Sequence, residues 1–156
     1  MDLYADNPSL AVAGIVGKSN RSTITDVRVL ASKVTFDQGG LTSYGMIYGE
    51  GIVAGIVANS DTDEINFASV ESFISSATTA SGVTEVFYML NSEQNKVAGL
   101  VYTASNTTLG NSFISANIDT NSNLSSDLKT IILTSNANET NVYFLGRVNN
   151  LEQIKD

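Results

Sequence analysis

The sequence predicts an all-β chain arranged as a repeat β-solenoid, parallel β-helix-like, and three observations carry that expectation. One apolar pentapeptide recurs, as VAGIV at 12–16, VAGIV at 53–57 and VAGLV at 97–101. Ser (19), Thr (15) and Asn (16) make up about a third of the 156 residues, against 15% charged residues. That is the polar surface of turns and half-exposed strands, where helices would use Glu, Lys, Ala and Leu. The only proline, Pro8, sits in the turn DNPS, where a missing N–H costs nothing.

Taken in order, the elements repeat as a unit. With Gly14, Gly55 and Gly99 as anchors the spacing is 41 and then 44 residues, and FLGRV at 144–148 offers a degenerate fourth anchor at Gly146, 47 residues further on. Periods of 20–50 residues mark solenoids, propellers and arrays. Ahead of the pentapeptide stand YGMIYGEG, VFYMLNSEQNK and TIILTSNANETN, each a strand-like run followed by a polar turn. Behind it come GKSNRSTITDVRVLASKV, ANSDTDEINFASVESFI and YTASNTTLGNSFISANI, each a polar turn and then a second apolar-spaced run. One unit therefore reads strand, turn, VAGIV strand, turn, strand. Helix is expected at most as a turn at 125–131 (SSDLKTI) and over 150–156 (NLEQIKD), with Asn150 as cap. The repeat glycines fit a bend or a close backbone approach, and Ala13, Ala54 and Ala98 are small for the same reason. The flanking Val, Ile and Leu then stack on their counterparts one unit away. A β-sandwich with look-alike central strands, or a propeller with 44-residue blades, are the alternatives.

The unit resembles the GLUG motif of bacterial surface and adhesin-like proteins, through residues 12–34, 53–74 and 97–118. The motif's second glycine survives only as Gly17, being Ala58 and Tyr102 in the other copies, and its turn glycine is missing. The resemblance implies layers of β-strands and no activity of their own.

Composition narrows the chemistry. At 156 residues roughly 70% of the unfolded surface can be buried, so residues 1–156 make one domain without a staple. There are no cysteines and no histidines, which removes disulfides, thiolate nucleophiles and the usual zinc ligands. A net charge of −8 opposes nucleic acid and anionic lipid. No apolar run approaches a membrane span, and Met1-Asp2 opens no signal sequence, so an export signal is expected outside this chain. The module is expected to be part of a larger protein.

Candidate sites are few. Asp119, Asn121, Asn123 and Asp127 occupy positions 1, 3, 5 and 9 of a calcium-loop pattern, but Leu124 replaces the turn glycine and Thr130 the bidentate Glu. Asp61, Asp63 and Glu64 gather at one turn as a second place for a divalent ion. The best carboxylate sets for catalysis are Asp26 with Arg28 and Asp61 with Asp63, and Arg21, Arg28 and Arg147 lack an acidic partner at matching repeat positions. Four glycosylation sequons, at Asn20, Asn106, Asn123 and Asn138, are no more than composition predicts. Tyr44, Tyr48, Phe87 and Tyr88 stand at strand ends, where rings stack on sugars, pack on proteins or cap the core. The expectation is a non-catalytic structural or adhesive module of a cell-surface or extracellular protein. It needs no cofactor and contacts a protein or glycan ligand and neighbouring repeats, with no nucleic acid and no membrane insertion. The alternative is a virion or tail-associated β-structure that recognises carbohydrate, with glycan cleavage as its further extension.

Overall fold

The computed structural model describes residues 3–31, 34–35, 42–43, 45–74, 76–78, 82–94, 96–120, 137–148 and 151–155. Among them there are strands and turns and no helix. The first layer is β1 (Leu3–Ala5), β2 (Ala11–Ala13), β3 (Val16–Asn20), β4 (Thr23–Thr25) and β5 (Arg28–Ala31). A short antiparallel pair, β6 (Val34–Thr35) and β7 (Thr42–Ser43), leads to the second. That layer is β8 (Ile47–Gly49), β9 (Ile52–Ala54), β10 (Val57–Asp61), β11 (Glu64–Asn66) and β12 (Ser69–Ser72). Another antiparallel pair, β13 (Ser76–Thr78) and β14 (Thr84–Val86), leads to the third. It comprises β15 (Leu90–Ser92), β16 (Val97–Ala98), β17 (Val101–Ser105) and β18 (Thr108–Ser115). Then β19 (Ile118–Thr120) opens a fourth layer, which β20 (Asn138–Val148) continues, and β21 (Leu151–Lys155) ends the chain.

Every strand of the first layer pairs in parallel with its counterpart in the second, and every strand of the second with its counterpart in the third. Leu3 stands on Ile47, Ile47 on Leu90 and Leu90 on Ile118. Val16 stands on Val57 and Val57 on Val101, while Val29, Val70, Ile114 and Phe144 form another column. The largest sheet curls into a half-barrel, and the whole is consistent with a β-solenoid-like fold.

The pentapeptide is a corner, not the single strand its sequence suggests. Val12-Ala13 end β2, Gly14-Ile15 bend, and Val16 begins β3, with the same arrangement at 53–57 and 97–101. At the bend the layers are tied through the backbone, by Gly14 N donating to Gly55 O at 3.2 Å and Gly55 N donating to Ala98 O at 3.2 Å. A Cβ on Gly55 would overlap Gly99 O and lie 2.5 Å from Val70 Cγ2, and one on Gly14 would meet Gly55 O in the same way. No side chain fits there, so the glycine must recur.

The other two corners use left-handed backbone without glycine. Arg21, Thr62 and Asn106 hold φ of 53°, 59° and 49° between the third and fourth strands, and Asp26, Phe67, Asn111 and Asn141 hold 55°, 53°, 46° and 54° one strand on. Asn tolerates this conformation, whereas β-branched Thr62 and bulky Phe67 do not.

The core is the stack of inward columns. Val53, Ile56, Val57, Val70, Met89, Leu90, Leu100, Val101 and Ile118 are wholly buried in the middle of it. First-layer counterparts are not: Leu3, Val12, Val16 and Val29 are half-buried, and Ile15 is 45% exposed where Ile56 and Leu100 are 0%. The opposite end differs. There β21 runs antiparallel to β20, from Val148↔Leu151 to Phe144↔Lys155, and covers that stretch of its outer edge. Residues 151–155 are therefore a strand, where a capped helix over 150–156 was expected. The 125–131 segment lies outside the described residues.

Register also corrects the fourth anchor. Ile114 pairs with Phe144 and Ser115 with Leu145, so Gly146 lies over Ala116, whose carbonyl a Cβ there would strike. Gly146 belongs to a different column from Gly14, Gly55 and Gly99. The layer itself is shorter than the period: partners are 41–44 residues apart across the first three layers, but Leu90↔Ile118 are 28 and Ile118↔Val148 are 30. The difference is the hairpin excursion of β6–β7 and β13–β14, which has no equivalent between Ser115 and Ile118.

Candidate functional site

The acidic turn at 60–64 does not assemble a metal centre. Asp63 is 3% exposed, and its carboxylate accepts from Ser22 N at 2.8 Å and from Ser60 Oγ at 2.5 Å. Ser60 Oγ lies 2.9 Å from Thr107 Oγ1, and Thr108 N donates to Asp63 O at 2.9 Å. Asp63 is thus a buried hinge between three layers, its oxygens turned inward to donors that would otherwise be orphaned. Asp61 points elsewhere, accepting from Asn20 Nδ2 at 2.9 Å and Thr62 Oγ1 at 3.1 Å. Among the described residues no cluster of three acidic side chains is arranged to hold a metal.

Of the calcium-loop residues, only Asp119 falls in the described part; Asn121, Asn123 and Asp127 lie outside it. Asp119 sits on β19, half-buried, with Oδ2 accepting from Asn91 Nδ2 at 3.2 Å, and burial pushes its carboxyl above the usual carboxylate range.

Arg28, expected to lack an acidic partner, has one. Its Nη2 lies 2.7 Å from Glu71 Oε2, across layers and two residues off the direct register, and its guanidinium lies 5.9 Å from the Phe73 ring centroid. Asp26 is not that partner; Thr25 Oγ1 donates to it at 3.3 Å.

The surface feature that best fits a contact site lies along β1, β8, β15 and β19. Tyr4 and Tyr48 are register partners, and their rings stack with centroids 4.9 Å apart and planes 13° from parallel. The Tyr48 hydroxyl donates to Glu93 Oε1. That bond, reinforced by burial and the Glu93 charge, pushes the Tyr48 phenol up to about 12. Burial and the charges of Glu50, Asp6 and Glu93 raise Tyr4. The column continues through Asn91 to Asp119, and beside it Asp6, Glu50 and Glu93 each follow a ladder residue, Ala5, Gly49 and Ser92. The signal was present in the sequence as LYAD, IYGE and LNSE, each apolar, variable, small, acidic. The aromatic residues expected at strand ends divide otherwise: Phe87 is core, Tyr88 is half-buried, and Tyr44 lies outside the described residues.

Elsewhere on the surface, side chains bond across layers. Asn59 Oδ1 accepts from Thr103 Oγ1 at 2.7 Å, Asn66 Oδ1 from Asn111 Nδ2 at 3.0 Å, and Asn111 Oδ1 from Asn141 Nδ2 at 3.0 Å. Comparison with known proteins brings no relative to this arrangement: no family model, no curated protein and no solved structure is significantly similar to the chain.

Proposed function

We propose that the chain is a repeat β-solenoid of the GLUG-like kind, serving without catalysis as a structural or adhesive module of a cell-surface or extracellular protein. One observation carries the reading: outward polar side chains spend their hydrogen bonds on the next layer. Asn20–Asp61, Arg28–Glu71, Asn59–Thr103, Asn66–Asn111–Asn141 and Asn91–Asp119 all join residues that are 28 to 45 apart in sequence. Groups committed in this way stiffen a stack, whereas catalysis needs a nucleophile, acid or base left to act on a substrate. At roughly 4.8 Å per layer, four layers rise only about 19 Å, so the module is a squat block and gains reach by being joined to others.

Cysteine chemistry tests the architecture, since the chain has none of its own. Asn59→Cys with Thr103→Cys occupies facing partners on β10 and β17, at the Cα spacing a disulfide accepts. Mild oxidation should link them within one molecule, and failure to link under conditions that oxidise a control pair would end the solenoid reading. For the role, an impermeant amine reagent applied to intact source cells should label the protein; labelling only after lysis would contradict a surface location.

The Tyr4–Tyr48 stack with its flanking carboxylates favours a second reading, carbohydrate recognition, because an exposed ring beside hydroxyl-binding oxygens suits a sugar face. Glycan-array binding lost in Tyr4→Ala would support it. An array without signal would leave the structural reading alone.

A further inference from the structure

Six of the ten large apolar side chains that are exposed among the described residues gather on one side of the stack, the outer face of β5, β12, β18 and β20. They are Leu30, Phe67, Phe73, Phe113, Tyr143 and Leu145, each 39–79% exposed. Successive side chains of a strand alternate, so the buried column of Val70, Ile114 and Phe144 leaves an outward column on either side of it. From the first layer to the fourth, one reads Arg28, Ser69, Phe113 and Tyr143, the other Leu30, Glu71, Ser115 and Leu145. Both columns point sideways from the ladder, so this face is the same whatever pairs with either edge of the stack. Phe67, just before β12, adds an independent sign. It holds φ of 53°, strained for a bulky residue, in a corner column where Asn111 and Asn141 are tolerated. A strained side chain that stays exposed contributes little to one molecule's fold, and such residues collect where contacts are made.

We propose that this face is a self-association surface on which a second copy of the chain packs face to face, its layers in reverse order, about a two-fold axis that runs along the strands between the second and third layers; the inference rests on the solenoid reading above. Register selects that occupant. Such an axis sets each column against itself, first layer opposite fourth and second opposite third. Arg28 then faces the second copy's Tyr143, a cation on a ring, and Leu30 faces Leu145, apolar on apolar. Ser69, sunk to 7% exposure, faces Phe113, small against large, and Glu71 faces Ser115, an acceptor against a hydroxyl. Each match occurs twice, as a two-fold pair demands. An axis along the stack would instead set Arg28 against Leu30, a charge against an apolar partner. Area agrees: at about 200 Å² for a whole aromatic side chain, the exposed fractions leave roughly 600 Å² of apolar surface per copy. A pair would bury about 1,200 Å², above the roughly 1,000 Å² of a specific interface. Charge agrees too, because the two columns carry only Arg28 and Glu71, paired at 2.7 Å, so copies of net charge −8 meet there without opposed like charges.

Sedimentation equilibrium of the full chain tests this, and the expected result is a dimer with a micromolar Kd. Leu30→Lys and Leu145→Glu each place two unpaired charges in the pair, and each should weaken it by about a hundredfold. An equal mixture of the two variants should dimerise to within about tenfold of wild type. In the mixed pair the new lysine meets the new glutamate, and the other contact stays leucine on leucine. Leu10→Lys, on an exposed residue off the face, should leave the dimer intact. All three side chains are exposed, so circular dichroism should show strand content unchanged. A wild-type chain still monomeric at about 500 µM would overturn the proposal. So would a dimer indifferent to both face variants, or variants that stay monomeric when mixed. The disulfide between Asn59→Cys and Thr103→Cys, introduced into the same chain and read on the same preparation, separates these outcomes from failure of the solenoid itself.

Discussion

Replacing Gly55 with alanine adds one methyl group at the tightest point of the molecule. Its Cβ would overlap Gly99 O and sit 2.5 Å from Val70 Cγ2, against the roughly 3.5 Å or more of an ordinary carbon contact. Relief requires the second and third layers to part at the corner by about 1 Å, stretching Gly55 N–Ala98 O (3.2 Å) beyond bonding distance. Losing one buried backbone hydrogen bond costs about 1–3 kcal/mol, and overpacking a dense site another 1–3. Some 3–5 kcal/mol is thus expected from a total near 5–15, lowering Tm by on the order of 10 °C. Gly17 provides the matched control, because a Cβ there has nothing nearer than Ala11 O at 3.8 Å. Gly17→Ala should be neutral or slightly stabilising through the unfolded chain. Thermal and urea unfolding followed by circular dichroism would measure both. If Gly55→Ala melts within about 2 °C of Gly17→Ala, the glycine column is not what sets the layer spacing.

Thr62→Asn and Phe67→Asn place in the left-handed corners the residue that Asn106 and Asn111 already supply, and each should raise stability by about 1 kcal/mol in urea melts; a loss would mean those corners are not strained. Asp63→Ala removes the acceptor of Ser22 N and Ser60 Oγ in a buried site and should cost about 3 kcal/mol, with a negligible change pointing to water taking over both bonds. The Tyr48 phenol, raised to about 12 by Glu93, stabilises the fold fully below the unfolded value near 10. Between those limits the unfolded chain ionises first, so stability falls from about pH 10 to about pH 12, and less steeply in Tyr48→Phe. Absorbance at 295 nm should show one high titration missing in that variant, and equal profiles would remove the Tyr48–Glu93 bond from consideration. Arg28 is half exposed at its side chain, so a double-mutant cycle of Arg28→Ala with Glu71→Ala should return under about 1 kcal/mol, shrinking in salt; a larger, salt-insensitive coupling would show a desolvated pair.

What the sequence by itself determined is the β class and the position of the recurring corner. Val-Ala-Gly-Ile-Val returns because the backbone of one layer passes directly over the Cα of the last, a steric demand that only glycine meets at Gly14 and Gly55, and steric demands leave identical residues behind. Hydrogen-bonding demands do not. The left-handed corners hold Arg21, Thr62 and Asn106 in one column, and the outward ladder sets Tyr4 and Tyr48 over Asn91 and Asp119, because any residue that tolerates the backbone, or any polar group in reach, will serve. Only the tertiary structure could separate a layer of about 28–30 residues from its hairpin excursion, since the 41- and 44-residue spacing is the sum of both. For that reason Gly146 looked like a fourth corner: the excursion is absent after Ser115, the register shifts with it, and the glycine comes to lie over Ala116. The tertiary structure likewise decided where charge goes, turning Asp63 inward to backbone and hydroxyl donors and bringing Glu71 to Arg28 across 43 residues of sequence, because stacking makes neighbours of residues that no local pattern joins.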